Sequence, residues 1–115
     1  MGQWHFFSDE EGEGLDADLM AMLDMARGKS GVPFVITCGF RSPEQNAKLA
    51  NSVYDSAHLT GHAVDLACDD SDERFKMVQA LLDAGFTRIG IYSAHLHADN
   101  DLTKPQGVMW YSAGT

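Results

Sequence analysis

Cysteine is scarce in this sequence, with only Cys38 and Cys68 among 115 residues. Two cysteines are too few to build a disulfide scaffold. They form no Cys-x-x-Cys pair, so a zinc site made of thiolates is not expected. Each follows an apolar run that is typical of a strand, which favours buried free thiols. A disulfide between them stays open until their separation is known.

Basic residues are also few, since 8 Lys and Arg stand against 17 Asp and Glu, giving a formal net charge of −9. Phosphate contacts need clustered Lys and Arg, and the basic residues here form no run, so nucleic acid is not an expected partner. No stretch approaches the roughly 20 apolar residues of a membrane span. No basic segment followed by an apolar one opens the chain. We therefore expect no membrane insertion and synthesis in the cytoplasm without a signal peptide.

The length suits one domain, which we assign to residues 1–115 with a flexible lead-in at 1–14. Periodicity and turn signals then divide the chain into helices and strands. The predicted order begins with a helix after Leu15 that Gly28 stops, a strand at 33–38, and a helix capped by Ser42 and running to about Asn51. A strand at 61–68 and a helix that Ser71 caps and Gly85 ends come next, and strands at 88–92, 94–99 and 108–111 complete the order. The apolar stripe of the helix after Ser71 is predicted to be Phe75, Val78, Leu81 and Leu82.

These elements predict an α+β fold, with helices packed on a small and mainly antiparallel sheet. The loop at 100–107 contains Pro105 and Gly107, which suits a hairpin between the last two strands.

Two segments carry the residues suited to catalysis. In the first, His58 lies in a loop, Gly61 allows a sharp turn, and Asp65 follows on the next strand. Asp65 shares its strand face with two alanines, Ala63 and Ala67. A carboxylate among small apolar side chains is costly to bury unless a cation or strong hydrogen-bond donors meet it.

In the second segment, His95, His97 and Asp99 alternate along a predicted strand, so all three lie on one face. A catalytic zinc ion takes three His or carboxylate ligands and keeps a fourth position open. The two segments together therefore predict a hydrolytic metal site, although a mixed nitrogen and oxygen site can also hold other metals.

The sequence resembles the zinc D-alanyl-D-alanine carboxypeptidases and related peptidoglycan endopeptidases, including small phage-encoded members. That family shares its fold group with the lysostaphin-type peptidases and the hedgehog domain. The resemblance covers residues 15–111 and depends on three segments in order: Gly39-Phe40-Arg41-Ser42-Pro43-Glu44-Gln45-Asn46, Ser56-Ala57-His58-Leu59-Thr60-Gly61-His62-Ala63-Val64-Asp65, and His95-Leu96-His97-Ala98-Asp99.

The resemblance implies zinc ligands at His58, Asp65 and His97. It also implies that His95 acts on the water at the metal or stabilises the transition state. A second subtype of the family places a carboxylate three residues before the last ligand. Ala94 stands at that position here, so the chain resembles the His-x-His subtype.

Two further positions of the family correspond to Arg41, which would position the substrate or stabilise an oxyanion, and Ser56, which would bind substrate by a hydrogen bond. Asp99 is expected to orient a site histidine, with a structural role at the hairpin as the alternative. His62 lies on the opposite strand face from Asp65 and is not expected to bind metal.

The resemblance implies a zinc peptidase that hydrolyses an amide bond in peptidoglycan stem peptides or cross-links, acting at the cell wall after release or delivery. We expect the protein to be a monomer. Either a carboxypeptidase or an endopeptidase fits. A zinc-binding recognition module without catalysis is the alternative, and the presence of both His95 and Arg41 argues against it. A phage component that uses the fold to penetrate the wall is a third possibility.

Overall fold

The fold of the chain comes from a computed structural model, which describes residues 3–49 and 55–112. The helices are α1 (Ala17–Ser30), α2 (Pro43–Ala47), a short 3₁₀ helix (Ala57–Thr60) and α3 (Ser71–Asp83). The strands are β1 (Ile36–Cys38), β2 (Ala63–Ala67), β3 (Arg88–Ile91), β4 (His95–Asp99) and β5 (Val108–Tyr111). No helix in these ranges is long and apolar enough to cross a membrane.

The five strands form one sheet in the order β1-β2-β4-β3-β5, and every neighbouring pair is antiparallel except β3 and β5. This confirms the predicted α+β class with a mainly antiparallel sheet. The predicted hairpin between β4 and β5 is wrong, because β3 lies between them. The loop at 100–107 is tied to β3 instead: Val108 N donates to Thr87 O, and Arg88 Nη1 donates to Pro105 O.

The two faces of the sheet differ in what covers them. One face packs under α1 and α3, and its buried side chains include Val64, Leu66, Ile89, Leu96 and Ala98. Because side chains alternate along a strand, the residues between these positions lie on the other face. That second face carries Asp65, Gly90, His95 and His97, which are the residues of the predicted site.

The first helix runs through Gly28 and ends at Gly31, whose φ of 73° closes the helix in the left-handed conformation. The prediction that Gly28 stops this helix is therefore wrong. A Cβ at Gly28 would lie 3.2 Å from the Phe6 ring, so this glycine makes room for packing. Before α1, Phe7 is buried and Phe6 N donates to the Asp24 carboxylate. The segment that contains them therefore packs on the fold, whereas a flexible lead-in was predicted.

The later helices also depart from the sequence prediction. The predicted cap of α2 is present, since Ser42 and Gln45 bond each other's backbone, but the helix ends at Ala47 because Lys48 N and Leu49 N turn to i−3 carbonyls. Part of its predicted extension, residues 50–51, lies outside the described residues. Asp70 caps α3 in place of Ser71, and Phe75 is exposed. The buried face of α3 is Met77, Ala80 and Leu81.

Candidate metal centre

The pairing of β2 with β4 aligns the two chemical segments of the sequence. Asp65 lies directly opposite His97, and Ala67 lies opposite His95. Ala63 and Ala67 flank Asp65 on its own strand, so no bulky neighbour separates the carboxylate from the histidines across the sheet. Strand alternation predicted that these side chains share a face, and their register now makes them direct neighbours.

His58 reaches the same point from the 3₁₀ helix. Its backbone N donates to Ser56 Oγ, which caps that helix, and Gly61 ends the helix at a φ of 76°. The ring is buried, with its Nδ1 2.8 Å from Gly39 O. A carbonyl only accepts, so Nδ1 carries the proton. The other nitrogen, Nε2, faces Asp65 Oδ1 at 3.4 Å.

His97 is oriented in the same manner by a carboxylate. Its Nε2 lies 2.6 Å from Asp99 Oδ2, and its Nδ1 faces Asp65 Oδ1 at 3.4 Å. Asp99 is fully buried and is itself held by Arg88 Nε at 2.8 Å and by Asp101 N at 3.1 Å. Asp99 therefore has the contact that the predicted orienting role requires, and Arg88, which sequence reasoning missed, fixes Asp99.

The distances from the carboxylate to each histidine fit the spacing of ligands on a zinc ion. Two ligand atoms at about 2.1 Å from a tetrahedral zinc ion lie about 3.4 Å apart. The distances from Asp65 Oδ1 to His58 Nε2 and to His97 Nδ1 are both 3.4 Å. A direct charged hydrogen bond would be shorter, at about 2.7–2.9 Å. Each histidine also uses its second nitrogen for an oriented contact, as metal-binding histidines do.

The same contacts set the charge of the site. Burial lowers the pKa of His58, but contacts with Asp65, Cys38 and the Gly39 carbonyl outweigh it and raise that pKa to about 9. Burial raises the pKa of Asp65, but His58 and His97 hold it far below its ordinary value. The pKa of His97 is also raised, because Asp65 and Asp99 outweigh its burial. Without metal, the ionised carboxylate thus lies beside a His58 ring that stays protonated up to about pH 9.

His95 lies beside this group, with Nε2 3.9 Å from Asp65 Oδ1. Its ring stacks on Tyr92, with 4.3 Å between ring centroids and 9° between the planes. The hydroxyl of Tyr92 accepts from Trp110 Nε1 at 3.1 Å, and the Trp110 ring also packs against His97. Tyr92 and Trp110 therefore support both histidines of β4, a role that sequence reasoning did not assign.

Gly90 makes the approach of Trp110 possible. It lies between His97 on β4 and Trp110 on β5, in register with both. A Cβ at Gly90 would come within 2.5 Å of Trp110 Nε1, closer than atoms can approach, so any side chain here would push the indole away. A glycine inside a strand is the one sequence signal that could have indicated this close packing.

Arg41 and Ser56 lie next to His58. Arg41 Nη2 donates to Ser56 Oγ at 2.9 Å, and Arg41 N donates to His58 O. Arg41 Nε is buried and has no hydrogen-bond partner among residues 3–49 and 55–112. The predicted substrate contacts of Arg41 and Ser56 stay predictions, but the structure brings both to the site.

His62 and the two cysteines were not predicted to bind metal. His62 lies off the centre, with Nδ1 bonded to Thr60 Oγ1 and Nε2 3.7 Å from Asp16. Both cysteines are free thiols, which answers the open question of a disulfide. Cys38 is only half-buried, which differs from the prediction of a buried thiol, and its Sγ, a ligand atom of His58 and one of Asp65 all lie within 4.8 Å of one another.

We expect metal binding to displace protons, because a zinc ligand must be a neutral imidazole while His58 stays protonated up to about pH 9. Calorimetric zinc titrations in buffers of different ionisation enthalpy should show proton release near about pH 7 and less near about pH 10. In the metal-free protein, the same contact should make stability depend on pH. The stabilisation from the pairing of His58 with Asp65 is complete below the ordinary histidine pKa of 6.5 and is lost as the pH rises through about 9. Zinc binding with no proton release would contradict the pairing of His58 with Asp65.

Comparisons with known proteins agree with this fold. The crystal structure of the Serratia marcescens L-Ala D-Glu endopeptidase ChiX superposes with a TM-score of 0.63, at 23% identity, over 78% of this chain and 84% of that one. No curated protein matches the sequence. The family model described as Peptidase M15 matches residues 6–99, which include every residue of the candidate centre. The match covers well over half of the chain and confirms the family resemblance seen in the sequence, so the protein belongs to the Peptidase M15 family.

Proposed function

We propose that this chain is a zinc-dependent peptidase that hydrolyses an amide bond in the stem peptides or cross-links of bacterial peptidoglycan. One observation carries the proposal: His58 and His97 each point a nitrogen at Asp65 Oδ1 from 3.4 Å, while their other nitrogens bond Gly39 O and Asp99. Two histidines and a carboxylate are a ligand set that catalytic zinc sites use, and here both histidines face the same carboxylate oxygen.

In this proposal the residues have separate tasks. His58, Asp65 and His97 hold zinc, which when bound supplies a Lewis acid and lowers the pKa of water toward neutrality. His95 lies beside these ligands and is held by the Tyr92 ring, so its imidazole can exchange a proton with the reacting groups or stabilise developing negative charge.

Arg41 binds the substrate in the proposed complex. Its guanidinium keeps donor capacity after the bond to Ser56, because that bond uses one of its five N–H groups. A guanidinium binds carboxylates in a two-pronged manner, and stem peptides carry carboxylates. Ser56 bonds both Arg41 and the backbone of His58, so it links the substrate-binding cation to the metal ligand.

The choice of substrate rests on family membership and on the fold shared with an enzyme named as an L-Ala D-Glu endopeptidase. We place the action at the bacterial cell wall, after release or delivery. Both a carboxypeptidase and an endopeptidase remain within the proposal.

The proposal is tested by digesting purified peptidoglycan with the zinc-loaded protein and identifying the products by mass spectrometry. Loss of a terminal D-alanine indicates a carboxypeptidase, and separated stems or cut stems indicate an endopeptidase. His95→Ala should lower the rate by about 100-fold or more, as loss of a general acid or base does. His5→Ala is the matched control, since His5 is exposed and lies outside the site.

The result depends on equal metal content, so zinc in each variant is measured alongside the rate. Full activity in His95→Ala with zinc bound would overturn the role of His95. A folded, zinc-loaded protein that releases nothing from several wall types would overturn the enzyme and leave the zinc-binding recognition module as the function of this fold.

A further inference from the structure

A thiol stands within reach of the candidate centre. Cys38 ends β1 and lies opposite Asp65 in the β1–β2 register, so the two side chains share a face. Its Sγ is 3.9 Å from His58 Nδ1, and the side chain is only half-buried. Cys38, His58 and Asp65 each offer one ligand atom within 4.8 Å of the others.

The spacing is close to what a soft metal ion requires. Sulfur at about 2.3 Å and nitrogen or oxygen at about 2.1 Å from a tetrahedral zinc ion lie about 3.6 Å apart. The ligand atoms of Cys38, His58 and Asp65 lie within 4.8 Å of one another, so their separations exceed this spacing by about 1 Å at most. A cysteine can move its sulfur by that much through rotation about one bond. Cys38 is therefore close enough to coordinate metal, while Cys68 lies elsewhere, with its Sγ near Asp70 O.

We propose that Cys38 is a further metal ligand, which lets this chain hold a thiophilic divalent cation through Cys38, His58 and Asp65. On binding, the thiol releases its proton to solvent and the thiolate sulfur bonds the metal. His97 Nδ1 faces the same Asp65 oxygen from 3.4 Å, so an ion that also draws in His97 would have four protein ligands and no position open for water or substrate. The inference builds on the proposed function, because the two metal sets share His58 and Asp65.

This arrangement makes the centre sensitive to the kind of metal. Soft thiolate ligands favour soft cations, whereas imidazole and carboxylate without sulfur suit zinc with an open position. Cadmium should therefore hold the closed, four-ligand form and inhibit the enzyme. Zinc can be bound by the two histidines and the carboxylate alone.

Cobalt substitution tests the inference on the full, reduced chain. The wild type should show a sulfur-to-cobalt charge-transfer band together with the visible bands of tetrahedral cobalt. Cys38→Ser should lose the charge-transfer band, keep the visible bands and bind cobalt about tenfold or more weakly, the least that loss of an outer-shell partner costs. Cys68→Ser is the matched control and should behave as the wild type.

The outcomes separate the two proposals. Visible bands without the charge-transfer band in the wild type would overturn the role of Cys38 and leave the three-ligand centre intact. A charge-transfer band that survives in Cys38→Ser and vanishes in Cys68→Ser would also overturn it. No cobalt spectrum at all would overturn both the centre and the inference.

A second measurement avoids the variants, in case Cys38→Ser does not fold. The wild type is alkylated with iodoacetamide with and without cadmium, and the modified cysteine is located by mass spectrometry. Cadmium at ten times its Kd should slow alkylation of Cys38 about tenfold, because only the free fraction reacts. Equal alkylation of Cys38 in both samples would overturn the inference.

Discussion

Asp65→Asn should lower zinc affinity and peptidase activity by more than about 100-fold, beyond the cost of losing an outer-shell partner. Asp65 Oδ1 is the atom that both His58 and His97 face at 3.4 Å, so no other side chain can replace it as the shared ligand. Asparagine keeps the shape and removes the charge, which leaves the fold intact. Zinc affinity is measured by calorimetry and activity on purified peptidoglycan.

The same substitution has a signature that does not depend on metal. The contact with Asp65 is the largest contribution that raises the pKa of His58 to about 9 against its burial, and the charge of Asp65 adds to it. In metal-free Asp65→Asn, the pKa of His58 measured by NMR should therefore fall. Asp69→Asn is the control, because Asp69 is exposed and its neutralisation should change neither quantity. Zinc affinity that stays unchanged in Asp65→Asn would place the metal elsewhere.

Strand alternation explains how much of the centre could be predicted. It placed Asp65 on one face of β2, and His95, His97 and Asp99 on one face of β4, and the structure has them on the shared face that α1 and α3 leave uncovered. This worked because a period of two residues depends only on local chain geometry. Strand alternation does not say which of these residues bind metal. The family resemblance supplied that assignment.

The supporting residues could not be predicted by the same route. Arg88 reaches Asp99, and Tyr92 reaches His95, through the pairing of β3 with β4. Trp110 reaches His97 across Gly90 because β3 lies between β4 and β5, which replaces the hairpin expected from the loop at 100–107. The position of Cys38 likewise depends on an irregular register between β1 and β2. Long-range pairing of this kind leaves no periodic signal in the sequence.

Glycines show why local signals can mislead. Gly28 resembles a helix stop, yet it lies inside α1 and makes room for Phe6. Gly61 was predicted as the turn between a loop ligand and a strand ligand, and it does end the 3₁₀ helix that carries His58. Its second role, a close approach to the start of α1, depends on tertiary packing that the sequence does not reveal.

Gly61→Ala should therefore be among the most destabilising single-methyl changes in this chain. The φ of 76° strains any residue with a Cβ, and that Cβ would come within 2.2 Å of the Gly14 carbonyl oxygen. Backbone strain costs about 1–3 kcal/mol and forced overpacking about 1–3 kcal/mol more, so we expect a loss of about 2–6 kcal/mol in the free energy of unfolding. Denaturant unfolding of the metal-free protein measures it.

Gly107→Ala separates the two contributions, because its φ of 70° is similar while no atom lies within 4 Å of its Cβ. In this control, the free energy of unfolding should fall only by the cost of backbone strain, about 1–3 kcal/mol. Gly61 O also accepts from Asp16 N, the cap of α1, so relieving the clash in Gly61→Ala must move α1 away from the helix that carries His58. Zinc affinity should then fall in Gly61→Ala and not in Gly107→Ala. Equal losses of stability in the two variants would show that the approach of Gly14 to Gly61 is looser than the structure has it.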